Sequence, residues 1–358
     1  MSSELYALID TLAQEHTLSG KEYLRLITEY DADTVAYLAG KAREEKEKYY
    51  GSSVFIRGLI EISNICKNDC YYCGIRKSNS SCDRYRLDKS DILECCREGY
   101  DLGFRTFVLQ GGEDGYFTDA LLVDLLTKIK SAYPDCAVTL SLGERSYDSY
   151  RVLREAGADR YLLRHETSHS GHYARLHPGS MSHSHRLGCL HSLRELGYQV
   201  GCGFMVGSPY QTAEMLAGEL EFIESFKPDM CGIGPFIPHK DTEFCSMPAG
   251  SVELTCVLLS CIRLIHPTVL LPATTALGTL DPLGREKGIL AGANVVMPNL
   301  SPADTRKKYM LYDNKLSYGA ESAQAKAALE ERMASIGCEI VVGRGDRAGR
   351  HGKIGKEY

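Results

Sequence analysis

Three cysteines near residue 70 have the spacing of an iron–sulfur site with one iron left open. Cys66, Cys70 and Cys73 form a C-x3-C-x2-C pattern, and Tyr72 directly precedes the last of them. A cubane cluster normally takes four thiolates, one for each iron, so three leave one iron free for a small chelating molecule. A zinc site completed by a distant His or Cys is the alternative. No second C-x2-C or H-x3–5-H pair lies in a convincing place, which favours the cluster.

The same cysteine spacing resembles the signature of the radical S-adenosylmethionine (SAM) enzymes. In that superfamily the amino and carboxylate groups of SAM occupy the open iron, so the resemblance implies a [4Fe-4S] cluster and SAM as cofactors.

Composition and charge narrow the class of protein. The 358 residues are 44% hydrophobic and 25% charged, which is ample for a large folded core, and the net charge of −6 gives no indication of nucleic-acid binding. The N-terminus lacks an apolar stretch of signal-peptide length, and no later stretch approaches a membrane span. We therefore expect a cytoplasmic protein whose fourteen cysteines are reduced thiols, as in an anaerobic host.

Eight short β-rich runs alternate with helical patterns in the middle of the chain. Eight such units predict parallel strands that close into a (β/α)8 TIM-type barrel, and an open doubly wound sheet is the alternative. Residues 1–50 are predicted to be an N-terminal helical extension, 51–300 the barrel, and 301–358 a C-terminal helical segment that closes the barrel, followed by a basic tail. The tail is predicted to be a flexible surface segment, and a docking segment is the alternative. The predicted strands are residues 54–62, 106–110, 137–142, 160–165, 200–206, 230–236, 269–274 and 294–298.

Barrel enzymes hold their sites at the C-terminal ends of the strands, and candidate residues concentrate there. Gly111 and Gly112 allow a backbone to approach a ligand, or form an ordinary turn. Arg164 and Glu166 alternate onto one face, where they would contact a ligand or brace the barrel mouth as an ion pair. Arg186 would grip a carboxylate or be a solvated helix-start residue. The remaining candidates at the rim are Gln110, Ser141, Met205 and Met297.

Several hydroxyl groups and histidines also lie near the predicted rim. Thr274, Thr275, Tyr309 and Tyr312 would bind a polar substrate, or the tyrosines would be packed caps. Six histidines between residues 165 and 185 follow no single metal-site spacing, and the Ser and Gly around them predict a solvated loop.

Longer blocks of sequence resemble the HydE family, the radical SAM maturases of [FeFe]-hydrogenase. The matching blocks are residues 108–114, 138–144, 156–167, 232–239, 272–276 and 293–299, and the resemblance runs from about residue 50 to the C-terminus. It implies that Cys66, Cys70 and Cys73 hold the [4Fe-4S] cluster. It further implies that the SAM site is lined by Gln110, Gly111, Thr139, Glu166, Arg186 and Met205, and the inner substrate cavity by Arg164, Thr274, Thr275, Met297, Tyr309 and Tyr312.

The resemblance also implies a substrate and partners. The substrate would be a sulfur-containing, cysteine-derived iron carbonyl cyanide species, made by HydG and passed on toward HydF, with an electron donor such as a ferredoxin or flavodoxin. A biotin synthase-like or methylornithine synthase-like enzyme is the first alternative, and Cys202 and Cys231 lie where a second barrel cluster could be imagined. A non-catalytic scaffold barrel is the second alternative.

One departure from the family pattern concerns a second cluster. Several members bind a surface cluster through three C-terminal cysteines, whereas Ser317, Ala325 and Ala328 stand at those positions here. We therefore expect a single cluster and no second, C-terminal one.

Overall fold

The computed structural model describes residues 2–316 and 323–349. Three helices come first: α1 Ser2–Glu15, α2 Gly20–Thr28 and α3 Ala32–Tyr50. Capping boxes begin α2 at Ser19 and α3 at Asp31, where a side chain accepts a backbone N–H of the first turn. None of the helices among the described residues has the length and apolar character needed to cross a membrane.

Alternating strands and helices follow. The strands are β1 Ser53–Ile56, β2 Gly58–Ser63, β3 Thr106–Gly111, β4 Ala137–Ser141, β5 Arg160–Leu162, β6 Gln199–Cys202, β7 Met205–Val206, β8 Met230–Cys231, β9 Gly234–Pro235, β10 Val295–Val296 and β11 Glu339–Val341. The helices are α4 Lys89–Asp101, α5 Asp119–Ala132, α6 Tyr147–Glu155, α7 Ser170–Leu176, α8 His183–Glu195, α9 Ala213–Phe226, α10 Val252–Ile265, α11 Thr275–Leu280, α12 Gly284–Leu290, α13 Ala303–Arg306 and α14 Lys326–Ala334.

The pairing between these strands is parallel and confirms the TIM-type α/β prediction. One sheet has the order β2-β3-β4-β5-β6-β8, and another joins β10, β1 and β11. Single parallel bridges, Met230 to Leu270 and Pro272 to Val295, connect β8 to β10 through the seventh predicted strand position, and Leu59 pairs with Asn299. Backbone pairing therefore passes through all eight predicted strand positions, although the seventh forms bridges in place of a ladder.

Three predicted strands are each interrupted in the middle. The fifth divides into β6 and β7 at Gly203, which has a φ of 155°. A Cβ at this position would lie 2.0 Å from the carbonyl oxygen of Gly232, so the close approach of the two chains requires glycine. The first and sixth predicted strands divide in the same way, into β1 with β2 and β8 with β9.

The predicted flexible tail is wrong for the residues up to 349. Strand β11 pairs with β1, and the residues after it cover the end of the barrel where the strands begin. Asp346 lies 2.5 Å from the fully buried guanidinium of Arg160, while Arg344 and Arg347 contact Asp159 and Asp229. Buried charges are costly unless paired, and the tail supplies the partners. The rest of the predicted tail, residues 350–353, lies outside the described residues.

The predicted solvated loop of histidines is also wrong. Helices α7 and α8 occupy most of this segment, and His165, His172 and His177 are buried. His172 bonds to the carbonyl of Pro209, and His177 to that of Tyr173. Burial lowers the pKa of His177 to about 3, so this imidazole is neutral and packs in the interior.

Candidate active site

A cavity of about 330 Å³ opens at the C-terminal ends of the barrel strands and brings nearly all the predicted residues together. Of the seventeen candidates, Thr139 is the exception: it is buried on β4, and its hydroxyl has no hydrogen-bond partner. The sixteen that line the cavity are Cys66, Cys70, Cys73, Gln110, Gly111, Gly112, Ser141, Arg164, Glu166, Arg186, Met205, Thr274, Thr275, Met297, Tyr309 and Tyr312.

The cysteines lie on the loop after β2, at the mouth of the cavity. The backbone N–H of Glu113 donates to the sulfur of Cys66 at 3.4 Å, and a Cβ on Gly112 would lie 2.8 Å from the Cβ of Cys66. The glycine therefore lets the β3 loop approach the cysteine loop. No three Cys, His, Asp or Glu side chains in the described part of the chain are close enough to enclose a single metal ion.

Burial controls the protonation of these thiols. It raises the pKa of Cys66, it raises that of Cys70 well above the ordinary value, and it raises that of Cys73 to about 12. Thiolates bind iron, so a cluster on this loop would displace the three protons. Three thiols at one cavity mouth would hold three irons of a cubane cluster and leave the fourth iron for another ligand.

Opposite charges meet beside the cysteines. Arg186, on α8, is nearly buried, and its Nε lies 2.8 Å from Glu144 Oε1, while Nη1 lies 4.0 Å from Glu113 Oε1. Burial alone would lower the pKa of Arg186, but the carboxylates of Glu144 and Glu113 outweigh it and hold the pKa above its usual value. The solvated-helix alternative for Arg186 is therefore wrong. A guanidinium between two carboxylates suits a ligand that carries both a carboxylate and an ammonium group.

Arg164 and Glu166 follow β5 and face the cavity as an ion pair. Arg164 Nη2 lies 3.2 Å from Glu166 Oε2, yet neither atom has a hydrogen bond of good geometry. Glu166 also has a φ of 67°, a left-handed conformation that is costly for a residue with a Cβ. The pair thus braces the mouth and still leaves donors and acceptors for a ligand.

Thr274 and two tyrosines contribute hydroxyl groups to the cavity wall. The hydroxyl of Thr274 is buried and has no hydrogen-bond partner. A Cβ on Gly234 would lie 2.7 Å from this oxygen, so the glycine keeps space beside it. Tyr309 is almost fully buried, with its hydroxyl 3.5 Å from Gln110 Nε2, and Tyr312 lies on the same segment.

Two further residues, Glu61 and Lys315, line the cavity, and the local sequence does not indicate a role for either. Glu61, on β2, is fully buried and forms an ion pair with Lys315. Asn299 Nδ2 donates to the second carboxylate oxygen of Glu61 at 2.9 Å. Glu61 lies within an apolar run and Lys315 lies 254 positions away, so only the folded chain shows that they meet.

Two of the positions at which other family members hold a second cluster, Ala325 and Ala328, do not line the cavity. Ala325 ends a short 3-10 turn and Ala328 lies in α14, while Ser317 lies outside the described residues. Cys202 and Cys231 are buried neighbours on β6 and β8, and neither lines the cavity.

Comparison with known proteins identifies the family. Residues 60–223 match the model of the radical SAM superfamily. The [FeFe] hydrogenase maturase subunit HydE of Thermotoga maritima is 45% identical over 275 residues, which cover 77% of this chain and 78% of that relative. The chain belongs to the HydE family.

HydE-family membership agrees with more distant similarities. A 3-methylornithine synthase of Methanosarcina acetivorans is 29% identical over 79% of each chain. The crystal structure of methylornithine synthase (PylB) has a TM-score of 0.81 at 25% identity and covers 93% of this chain and 97% of that one. The structure of HydG, a maturase of the [FeFe]-hydrogenase, has a TM-score of 0.79 at 20% identity, covers 96% of this chain and 77% of that one, and supports the fold.

Proposed function

We propose that this HydE-family chain is a radical SAM enzyme of [FeFe]-hydrogenase maturation. The observation that carries the proposal is the cavity that places three cysteines, two carboxylates around Arg186, and the Arg164–Glu166 pair at the same barrel mouth. The [4Fe-4S] cluster, when bound with SAM and reduced by one electron, supplies a 5′-deoxyadenosyl radical.

The chain's own residues hold the two halves of SAM in this proposal. Cys66, Cys70 and Cys73 bind three irons. Arg186 pairs with the carboxylate of SAM, and Glu113, whose nearly buried carboxylate lies 3.1 Å from the exposed Lys67 Nζ, accepts its ammonium group. Glu166 accepts hydrogen bonds from the ribose hydroxyls. The walls nearest to these groups are Gln110, Gly111, Gly112, Ser141 and Met205, and Thr139 lies buried behind them.

Deeper residues bind the substrate, which we propose is a sulfur-containing, cysteine-derived iron carbonyl cyanide species. Arg164 Nε and Nη2 and the hydroxyl of Thr274 make no hydrogen bond of good geometry, although Nη2 lies 3.2 Å from Glu166, and they suit an anionic ligand. Thr275, Met297, Tyr309 and Tyr312 enclose it and exclude water. We further propose HydG as supplier, HydF as recipient, a ferredoxin or flavodoxin as electron donor, and a cytoplasmic, anaerobic setting.

The experiment that tests the enzymatic proposal is anaerobic reconstitution with iron and sulfide, reduction with dithionite, and chromatography for 5′-deoxyadenosine. We expect SAM cleavage by the parent chain and by Cys245→Ser, an exposed cysteine away from the motif, and none by Cys70→Ser. Equal behaviour of all three proteins would contradict the proposal. A single cluster predicts about four irons for each chain, and about eight would contradict it.

A methylornithine synthase-like activity is the second candidate, favoured by the TM-score of 0.81. In vitro maturation of apo-hydrogenase with HydG and HydF separates the two. Activation of the hydrogenase that depends on this chain supports maturation, whereas SAM cleavage without activation supports the second candidate.

A further inference from the structure

A fully buried carboxylate lies behind the strand end that carries Arg164 and Glu166. Glu219, on α9, has no exposed surface and does not line the cavity. A carboxylate in such a place is strongly unfavourable unless hydrogen bonds compensate for the lost water. The partners of Glu219 therefore indicate what it does.

Glu219 accepts hydrogen bonds from residues on both sides of Glu166. His165 Nε2 lies 2.8 Å from Oε2, and the backbone N–H of Ser168 donates to Oε1 at 2.6 Å. The backbone N–H of Gly203 donates to His165 Nδ1 at 3.3 Å. Because Nδ1 is the acceptor, the proton of a neutral imidazole is on Nε2 and points at Glu219. Glu219 and the Gly203 N–H thus select the Nε2–H tautomer of His165.

The same network fixes the backbone of Glu166. Its N–H donates to the carbonyl of Gly203 at 3.0 Å, so Glu166, Gly203 and His165 form one connected set with Glu219. A left-handed φ is costly for a residue with a Cβ and persists only where the surroundings hold it. Loss of the network would let Glu166 relax to an extended backbone and turn its carboxylate out of position.

We infer that Glu219 is a positioning residue for recognition of the SAM ribose. Acting through His165 and Ser168, it holds Glu166 in the conformation that presents its carboxylate to the cavity. The inference rests on the proposed function, in which Glu166 accepts hydrogen bonds from the ribose. Both oxygens of Glu219 accept, so Glu219→Gln places an NH2 group against one of the two donors and breaks one link.

The test measures ribose recognition separately from SAM cleavage. The dissociation constants of SAM and of its 2′,3′-dideoxy analogue are determined on the reconstituted protein, and their ratio reports the ribose contact. We expect Glu166→Ala, which removes the acceptor, to bring the ratio close to one. Glu219→Gln should weaken SAM binding roughly tenfold, which is the size of one hydrogen bond to a charged group. The ratio of the two dissociation constants should move most of the way towards one.

Glu224→Gln is the matched control. Glu224 lies on the same helix, and its carboxylate accepts hydrogen bonds from Tyr23 at 2.7 Å and Thr17 at 2.6 Å, away from the cavity. We expect this variant to keep the parent ratio. A second readout needs neither cluster nor SAM: hydrogen exchange at the Glu166 amide should accelerate in Glu219→Gln and stay unchanged in Glu224→Gln.

The outcomes distinguish a failure of the positioning role of Glu219 from a failure of the proposed contact between Glu166 and the ribose. A parent-like ratio and parent-like exchange in Glu219→Gln, with the ratio lost in Glu166→Ala, overturns the positioning role and leaves the proposed function standing. A parent-like ratio in Glu166→Ala shows that Glu166 does not contact the ribose, and the inference fails with that assignment. If Glu219→Gln does not fold, His165→Phe removes the acceptor for the Gly203 N–H, and the same loss of the ribose contact is expected.

Discussion

At the scale of single residues, Thr274 differs from Thr255, a second threonine of the barrel. Its oxygen is buried without a hydrogen-bond partner, whereas the fully buried Thr255 donates to the carbonyl of Ser251 at 2.7 Å. An unsatisfied buried hydroxyl destabilises a protein unless a ligand completes it. This contrast supports the proposed ligand-binding role of Thr274 and a structural role for Thr255.

Thr274→Val should therefore leave the free energy of unfolding unchanged or raise it by about 1 kcal/mol, because it removes an unsatisfied group. Thr255→Val should lower it by about 1 kcal/mol, because it breaks a hydrogen bond. Urea denaturation of the cluster-free protein measures both values. A clear loss of stability in Thr274→Val would show that the hydroxyl already has a structural partner.

Arg186 supports a second prediction at this scale. Arg186→Lys keeps the charge but loses the forked geometry between Glu144 and Glu113, so we expect SAM binding to weaken by about tenfold or more. Arg145→Lys, whose parent side chain is held by Asp119 and Ser149 outside the cavity at the barrel mouth, is the control and should bind SAM normally. Equal dissociation constants for the two variants, measured by titration of the reconstituted protein, would refute the assignment.

Residue types near strand ends were enough to predict most of the cavity wall. The C-x3-C-x2-C spacing and the polar residues after successive strands are local signals, and a barrel brings strand ends to one rim. Thr139 illustrates the limit, because it lies inside β4 and is buried behind the wall. Glu61 and Lys315 are the opposite case, since nothing in the local sequence indicates that they pair.

At the scale of elements, the segment after α13 closes the cavity from the C-terminal side. Tyr309, Tyr312 and Lys315 line the cavity, and the ammonium group of Lys315 bonds to Glu61 and to the carbonyl of Tyr309. Lys315 thereby links the segment to β2 and also links two parts of the segment to each other. The tyrosines reach the cavity because this contact holds their backbone.

Lys315→Met should free this segment and leave the Glu61 carboxylate without its cation. We expect hydrogen exchange of residues 309–315 to rise by about tenfold or more, with α10 unaffected. Lys308→Met is the control on the same segment, because Lys308 pairs with the exposed Asp83 at the surface, where ion pairs contribute little. Exchange that is equally slow in both variants would argue against a tie through Lys315.

Helices α9 and α10 form where helical patterns are expected, yet the histidine segment, predicted to be a solvated loop, is helix and packed core. Regular apolar spacing predicts helices such as Ala213–Phe226 well. In residues 169–185, the polar residue types suggest an exposed segment although the side chains are packed. The buried histidines form hydrogen bonds through their ring nitrogens to backbone carbonyls such as those of Pro209 and Tyr173. Tertiary contacts of this kind have no local sequence signature.

At the scale of the whole molecule, the C-terminal residues stabilise the end of the barrel opposite the cavity. Arg160 is fully buried on β5 and would be an uncompensated charge without Asp346, 186 positions further along the chain. Arg344 and Gln199 donate further hydrogen bonds to the same carboxylate. A basic, Gly-rich composition predicts a solvated tail. The residues up to 349 pack against the barrel instead, because they pair with charged side chains there.

Asp346 makes this end of the barrel sensitive to acid. Burial alone would raise the pKa of Asp346, but the charge of Arg160 and the hydrogen bonds from Arg344 and Gln199 outweigh it and hold the pKa well below its usual value. The folded state therefore binds this proton less readily than the unfolded state, whose Asp pKa is about 3.9. The stabilisation is complete above that pH and is lost as the pH falls below it toward the folded-state pKa, by about 1.4 kcal/mol per pH unit.

Asp346→Asn should lower the free energy of unfolding by about 3 kcal/mol near pH 7, because it leaves Arg160 buried without a carboxylate. The gap between the parent and the variant should shrink as the pH falls below about 4, where the unfolded parent takes up the proton that the variant cannot. Asp304→Asn, an exposed change on α13, should stay within about 0.5 kcal/mol of the parent at every pH. Urea denaturation of all three proteins measures these differences. The pH should run from about 3, roughly one unit below the ordinary Asp pKa, up to about 7. A gap that does not change with pH would show that Asp346 stabilises the barrel through packing, and that the charge of Arg160 is compensated by other groups.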